Sequence, residues 1–322
     1  MVDVVFLFRY SSRVPYEFND AHVAQIAAAC GGKVWRFETE DELMASGVKA
    51  EVLFSWGGTG DMPVTYCRSN PGLKWFHSFS SGLDAVMNSE IASLPIAITS
   101  SSGVQGPTIA ETVMGYILAF NRTLPFMWQK QREHVWGKGL TRQPVEALGK
   151  TIGTIGAGSI GQEVAKRAKA FNMVTIGLCR HPRALSCYDE VLPDRRMDEL
   201  LARSDYVVVA VPLTEATRHL IGKAQLAEMK PGAILINVAR GPVVDQPALI
   251  DALRAGTIAG AALDVTDPEP LPPDNPLWDM ENVMITPHIS ADAPILSQWA
   301  VDFFCASLKR YLAGEPLPNR LK

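Results

Sequence analysis

The sequence lacks most of what marks a membrane, secreted or nucleic-acid-binding protein. The longest apolar stretch, Val113 to Phe120, contains Gly115 and is far short of the ~20 residues a helix needs to cross a bilayer. The amino terminus, MVDVVFLFRYSSR, has an acid at Asp3 but no basic leader and no small-residue cleavage site, so a first strand is expected there rather than a signal peptide. The five cysteines (Cys30, Cys67, Cys179, Cys187, Cys305) are odd in number, scattered and never spaced CxxC, which argues against a disulfide framework or a structural zinc site. No HxH spacing offers a metal site either. Thirty Lys and Arg against 34 acidic residues leave a formal charge of −4, with no basic field for nucleic acid or an anionic membrane. A cytoplasmic protein is expected. Its 47% apolar and 20% charged residues are ordinary for a globular chain and exclude disorder as the main state.

Over 322 residues, about two domains are expected at ~100–200 residues each. Short apolar runs alternate with helix-like stretches: VVFLF (4–8), a helix from Asn19 or Asp20 to Cys30 stopped by Gly31 and Gly32, then KVWRF (33–37), VLFSW (52–56), KWFHSF (74–79) and IAITS (96–100). That alternation implies a parallel sheet covered on both faces. Residues 108–136 carry a long helical pattern interrupted by Pro125 and rich in large apolar groups, either an interior helix or an arm that buries its surface on a second subunit. From Thr151 the rhythm becomes regular: TIGTIG and a helix over 159–170, VTIGLC and a helix over 197–203, YVVVAV and a helix over 217–229, AILINV and a helix over 247–255, then AGAALDV and VMITP. Six strands suit a dinucleotide-binding sheet. A last helix over 296–313 is expected to cross back to the first domain.

Gly156-Ala157-Gly158-Ser159-Ile160-Gly161 fits GxGxxG, follows an apolar strand and opens an amphipathic helix. Gly156 permits the tight turn, Gly158 lets backbone N–H groups approach a pyrophosphate, and Gly161 lets helix and strand pack closely, while the helix amino terminus attracts the anion. The second strand ends at Cys179, where an NAD site usually places an acid. The chain instead reads Arg180-His181-Pro182-Arg183, with no acid before Asp189. Two arginines suit a 2′-phosphate, which favours NADP over NAD. Adenine stacking by Arg180, or a solvated loop charge, is the alternative.

Of six histidines only His288, in Thr286-Pro287-His288, follows a sheet strand where ligands of open α/β sheets bind. His22, His77, His134, His181 and His219 have bland readings as surface, helix or loop residues. Arg240 and Glu269 lie near the carboxyl ends of other strands in the same half. Carbonyl reduction needs such a set: a His kept protonated by a carboxylate to supply the proton, and an Arg to hold a substrate carboxylate and polarise the carbonyl.

These residues resemble the D-isomer-specific 2-hydroxyacid dehydrogenases across nearly the whole chain. The matching stretches include Ser80-Ser81-Gly82-Leu83-Asp84, Ala110-Glu111, Leu148-Gly149-Lys150-Thr151-Ile152-Gly153, the glycine loop, Val211-Pro212-Leu213-Thr214, Asn237-Val238-Ala239-Arg240-Gly241, Leu263-Asp264-Val265 with Glu269-Pro270, and Thr286-Pro287-His288. The resemblance implies two Rossmann-like, doubly wound parallel-sheet α/β domains with a cleft between them. It implies a discontinuous substrate-binding (catalytic) domain of residues 1–99 and 290–322. Residues 100–289 would form the dinucleotide-binding domain, with a dimerisation arm over about 108–136. The catalytic set would be Arg240, Glu269 and His288. Cofactor contacts would come from Thr108, Gly156, Gly158, Ser159, Ile160, Gly161, Arg180, Arg183, Val211, Pro212, Thr217, Val238, Ala239, Arg240, Asp264 and His288, with Asp264 taking the nicotinamide amide. Substrate contacts would come from Trp56, Gly57 and the neighbouring Gly58, Ser81, Gly82, Arg240 and His288. A homodimer would place Trp136 at the partner's substrate pocket.

The arginine stretch looks like the cofactor loop of NADPH-preferring glyoxylate/hydroxypyruvate reductases. The expected activity is therefore NADPH-dependent reduction of a small 2-keto acid to the D-2-hydroxy acid. NAD-linked oxidation of a D-2-hydroxy acid or of 3-phosphoglycerate is the enzymatic alternative, and a dinucleotide-sensing interaction protein the alternative of another class. The chain departs from the family at Ser290-Ala291-Asp292-Ala293-Pro294, where small residues and Thr are usual. Glu269 stands where formate dehydrogenases carry Gln, which argues against that activity. With Lys322 as the last residue, the C-terminal regulatory domain common in phosphoglycerate dehydrogenases is not expected.

Overall fold

The computed structural model describes residues 1–8, 17–57, 62–139 and 143–321. The chain divides into two compact units, Met1–Gln105 with Asp292–Lys322, and Gly106–Ala291.

The first unit opens as β1 (Val2–Leu7), α1 (Asp20–Cys30), β2 (Gly31–Phe37), α2 (Glu40–Ser46), β3 (Val52–Ser55), α3 (Val64–Ser69), β4 (Trp75–Ser78), α4 (Asp84–Met87) and β5 (Ala97–Ser100). Its five strands pair in parallel in the order β2-β1-β3-β4-β5. The helix boundaries follow local chemistry. Asn19 accepts the amides of Ala21 and His22 at the start of α1, and Gly31 ends it at φ 65°, a left-handed conformation that glycine adopts without a Cβ clash. Strands β3 and β4 are buried at every residue, as parallel strands covered on both faces must be.

The second unit begins with α5 (Gly106–Asn121) and α6 (Leu124–Arg132). The break between them falls before Pro125, at Thr123 with φ 53°, so the proline sits in the first turn of α6, where its missing N–H costs nothing. The sheet then forms from β6 (Thr151–Ile155), α7 (Ser159–Ala170), β7 (Val174–Cys179), β8 (Glu190–Pro193), α8 (Met197–Arg203), β9 (Tyr206–Val209), α9 (Lys223–Glu228), β10 (Ile234–Asn237), α10 (Gln246–Arg254), β11 (Gly260–Leu263) and β12 (Val283–Ile285). The order β12-β11-β10-β9-β6-β7-β8 is parallel throughout and reverses direction at β6/β9. Seven strands form where six were expected: β8 is a short edge strand on β7, too brief to show an apolar period. The helix expected over 217–229 forms only as α9. Upstream of it, the Thr217 hydroxyl donates to the Pro212 carbonyl (2.6 Å) and accepts the Thr214 amide (2.8 Å), closing a turn instead.

The terminal helix α11 (Leu296–Leu312) belongs to the first unit, where it packs against α1. Phe304 stacks on Phe54 with centroids 4.3 Å apart. Buried side chains of that size contribute roughly 1.5–3 kcal/mol each, which ties the returning helix to its sheet.

Candidate active site

The order reversal at β6/β9 opens a crevice at the carboxyl ends of these two strands, the usual ligand position in an open α/β sheet. The GxGxxG loop lies there. Gly156 has φ 106°, and a Cβ on it would sit 2.4 Å from the Ala210 carbonyl oxygen just past β9. A Cβ on Gly161 would sit 2.1 Å from the Gly156 carbonyl oxygen. The chain's own packing therefore requires both glycines. Gly158 is different: it is exposed, and a Cβ on it meets nothing within 4 Å. It is the backbone N-cap of the 12-residue α7 and provides no side-chain cap, so the helix's first N–H groups have no side-chain acceptor there. Internal packing leaves Gly158 unexplained, whereas a diphosphate seated on the helix amino terminus accounts for it.

Arg180 and Arg183 follow β7 at the same sheet edge. Both are exposed and take part in no ion pair among the described residues. Asp189 cannot substitute for a ribose-binding acid after Cys179. Its carboxylate accepts the Thr175 amide (2.9 Å) and hydroxyl (3.0 Å) and pairs with Lys169 (2.6 Å), which fixes it at the opposite, amino end of β7. The Lys169 hydrogen bond leads the effects that hold Asp189 below the usual carboxylate range.

Arg240, Asp264 and His288 follow three adjacent strands whose last residues are in register, Asn237 beside Leu263 and Leu263 beside Ile285. All three therefore emerge at one edge. His288 and Glu269 meet there, Nδ1 to Oε1 at 2.6 Å, and each side chain keeps 42% of its surface exposed. The Arg240 and Glu269 loops are pressed together: a Cβ on Gly241 would lie 1.8 Å from the Thr266 carbonyl oxygen. The Arg240 guanidinium donates to the Ala239 carbonyl oxygen at 2.7 Å. Asn237 shapes this turn by donating to the Arg240 carbonyl (3.1 Å) and accepting the Ala239 amide (3.1 Å).

Asp264 is buried and serves first as an anchor. It accepts the Thr286 hydroxyl (2.6 Å) and the amides of Ile289 (3.0 Å) and Ser290 (3.1 Å). Its backbone carbonyl accepts the His288 amide at 2.8 Å. Gln246 was not singled out by sequence, yet its carboxamide donates to the Asp267 carbonyl (2.7 Å) and accepts the Asp267 amide (3.1 Å), clamping the loop that carries Glu269. Both peptide bonds flanking this stretch, Asp267-Pro268 and Glu269-Pro270, are cis. Val238 and Ala239 are buried, Val211 is half-buried and Pro212 exposed after β9, and the Thr217 hydroxyl is engaged in its turn. The Thr108 hydroxyl donates to the Ala291 carbonyl at 2.9 Å.

In the first unit, Trp56-Gly57 and Ser81-Gly82 follow the paired strands β3 and β4 at their carboxyl edge. Trp56 stacks on Phe79 with centroids 5.2 Å apart, and the Ser81 hydroxyl donates to the Gln105 side-chain oxygen at 2.7 Å. Gly57 is required by packing, since a Cβ would lie 2.1 Å from the Ser78 hydroxyl oxygen. Gly58 lies outside the described residues. His77 is no surface or loop residue. It is wholly buried in β4, between the Thr99 and Ser101 hydroxyls, and burial lowers its pKa to about 3. No helix among the described residues is long and apolar enough to cross a membrane, and none of their His, Cys, Asp and Glu side chains cluster as a metal site would require.

Residues 114–290 match the family model "D-isomer specific 2-hydroxyacid dehydrogenase, NAD binding domain". The chain belongs to the D-isomer specific 2-hydroxyacid dehydrogenases. As a member of that family it is an NAD(P)-dependent oxidoreductase acting on D-2-hydroxy acids or their keto counterparts. It is 38% identical over 255 residues to a glyoxylate reductase of Thermofilum pendens, covering 77% of this chain and 74% of that one. It is 36% identical over 284 residues to a D-3-phosphoglycerate dehydrogenase of Methanocaldococcus jannaschii, a match over 87% of this chain but only 53% of that protein. Among solved structures, the family member from Xanthobacter autotrophicus Py2, crystallised with NADPH and MES, superposes with a TM-score of 0.79 at 30% identity. That match covers 100% of this chain and 98% of the other. The glycine loop with its open Gly158 fits the nicotinamide dinucleotide that the family binds.

Proposed function

We propose that this dehydrogenase uses NADPH to reduce a small 2-keto acid of the glyoxylate or hydroxypyruvate type to the D-2-hydroxy acid. The observation that carries the chemistry is the His288–Glu269 pair, Nδ1 to Oε1 at 2.6 Å, half-exposed at the carboxyl edge of a dinucleotide-binding sheet. Glu269 occupies Nδ1 and fixes the ring, so Nε2 is left to serve the substrate. When bound, the reduced nicotinamide supplies the hydride to the keto carbon. His288 delivers a proton from Nε2 to the carbonyl oxygen as negative charge develops there, and Glu269 stabilises the imidazolium that precedes the transfer. Arg240 holds the substrate carboxylate and polarises the carbonyl. Trp56, Gly57, Ser81 and Gly82 are the residues of the first unit assigned to substrate. The first unit is assigned to substrate and the second to dinucleotide.

The preference for NADPH rests on Arg180 and Arg183, exposed and without ion-pair partners among the described residues, where an NAD site would carry an acid. The NADPH bound by the Xanthobacter autotrophicus Py2 structure supports the same choice, and the name of the Thermofilum pendens relative, a glyoxylate reductase, supports the keto-acid substrate. Asp264 would take the nicotinamide amide at the oxygen with fewer internal donors, and Thr108, Ser159, Ile160, Val211, Pro212, Thr217, Val238 and Ala239 would complete the cofactor bed. We also assign the exposed half of the arm expected over about 108–136, from α6 onward, to a homodimer contact: no residue of α6 is buried, and Trp128 and Trp136 are 59% and 91% exposed, whereas α5 packs into its own unit's core through Ile109, Val113 and Ile117.

The test is a fluorescence titration with NADPH and NADH followed by steady-state reduction of glyoxylate, hydroxypyruvate and pyruvate with each cofactor. Tighter NADPH binding and faster NADPH-linked reduction of glyoxylate or hydroxypyruvate are expected. A clear preference for NADH overturns the cofactor assignment, and absence of turnover with every acid overturns the activity.

A further inference from the structure

The segment carrying His288 is held from a second side, by the helix α5. His288 has φ 57°. A left-handed backbone at a non-glycine residue is strained and persists only where the surroundings impose it. Asp264 imposes part of it from β11. The rest comes from α5, where Thr108, Thr112 and Tyr116 recur every four residues and so share one helix face. The Thr108 hydroxyl donates to the Ala291 carbonyl at 2.9 Å, and the Thr112 hydroxyl reaches the Ser290 carbonyl at 3.3 Å. The Tyr116 hydroxyl makes a short hydrogen bond to the Thr286 hydroxyl. These contacts bracket His288, two residues before it and two and three after it.

The proton directions are determined. A carboxylate only accepts, so Thr286 donates to Asp264 and must accept from Tyr116. Burial, first among the causes, pushes the Tyr116 phenol up to about 12, so it stays protonated and able to donate at neutral pH. The result is a directed chain from Tyr116 through Thr286 to Asp264, a carboxylate that also accepts the backbone amides of Ile289 and Ser290 on the far side of His288. Such chains polarise successive bonds and stiffen the groups they end on.

We propose that the Thr108–Thr112–Tyr116 face of α5 positions His288, with Tyr116 and Thr286 as positioning residues that keep the imidazole on Glu269. None of them touches the reacting atoms. The proposal rests on the reading of His288 as the proton donor. If that reading holds, loosening the chain lets the ring wander from its working geometry, and displacements of about 1 Å cost up to ~100-fold in rate.

The experiment compares Tyr116→Phe, Thr286→Val and Thr286→Ser with the parent in two ways. Steady-state kinetics with NADPH and the best keto acid should show kcat falling about 10-fold or more in Tyr116→Phe and Thr286→Val. NADPH affinity and KM should stay within about twofold, and Thr286→Ser, which keeps the hydroxyl, should recover most of the rate. NMR of ¹⁵N-histidine-labelled protein should show the His288 ring signals displaced in the first two variants and parent-like in Thr286→Ser. Unchanged kcat and unchanged His288 signals in Tyr116→Phe and Thr286→Val overturn the proposal. So does a Thr286→Ser loss equal to that of Thr286→Val, which marks general destabilisation. The ring signals need no turnover, so an inactive parent would refute the reading of the activity while the spectra still decide the positioning.

Discussion

The two units share parallel α/β architecture and differ in what fills it. The first buries aromatics and a histidine: Phe6, Phe54, Trp75, Phe76, Phe79, His77 and Phe304 lie in or against one five-stranded sheet. The second buries Val, Ile, Leu and Ala, and its buried tyrosines each bind a polar partner: Tyr116 binds Thr286, Tyr188 binds Thr154 and Tyr206 binds Asn121. The glycines divide as well. In the first unit Gly57 is explained by packing alone, whereas the second carries Gly158, which packing does not explain. Gly115 and Gly232 are equally open, so what sets Gly158 apart is its place in the glycine loop at the head of α7, where a bound diphosphate would explain it. In the second unit glycines of both kinds, packed and open, occur within one six-residue loop.

That separation can be broken most sharply in the loop itself. Gly161→Ala forces a Cβ to 2.1 Å from a carbonyl oxygen. It should destabilise the protein by about 1–3 kcal/mol or more, read as a lower denaturant midpoint. Gly158→Ala should leave that midpoint unchanged and weaken dinucleotide binding about tenfold or more by titration, since a methyl there occupies the approach to the diphosphate. Equal loss of stability in both would erase the distinction.

The next effect is confined to cofactor choice. The double variant Arg180→Ala/Arg183→Ala removes two solvent-exposed charge-assisted donors, each worth about 1 kcal/mol in such a setting. NADPH affinity should fall about 10–100-fold while NADH affinity holds within about threefold. A parallel fall for both cofactors would place these arginines on adenine.

The last effect distinguishes the first unit and shows only on acidification. The pKa of His77 is lowered to about 3 in the folded protein, against 6.5 for an exposed imidazole. Between these values the unfolded chain binds the extra proton. Stability is therefore full above about pH 6.5 and declines on acidification toward pH 3, by up to ~1.4 kcal/mol per pH unit for this one group. His77→Gln should flatten that slope in thermal melts between pH 6.5 and 4, even if it lowers stability at neutral pH. An unchanged slope would assign the acid sensitivity elsewhere.

Much of the second unit was legible in its sequence because the relevant signals are local. The strand–turn–helix context of Gly156–Gly161 and the positions of Arg240, Asp264 and His288 just past apolar runs lie within a few residues of what they report. The ribose-acid gap after Cys179 was equally plain. What sequence missed is long-range. The edge strand β8 forms only because β7 offers it hydrogen bonds, and the 217–229 apolar pattern yields to a Thr217 turn. Gln246 clamps a loop 21 residues away, and Tyr116 meets Thr286 across 170. No period or motif encodes those contacts. The burial of His77 was missed for a related reason: a single polar residue in a short strand shows its partners, Thr99 and Ser101, only once β4 and β5 are paired.

The central claim is that His288, held by Glu269, is the proton donor of a keto-acid reductase. It is tested most directly by His288→Gln, assayed for NADPH-linked glyoxylate reduction and titrated with NADPH in parallel. In this variant kcat should fall ~10²–10⁴-fold with NADPH affinity within about threefold of the parent. A variant that turns over at close to the parental rate would contradict it.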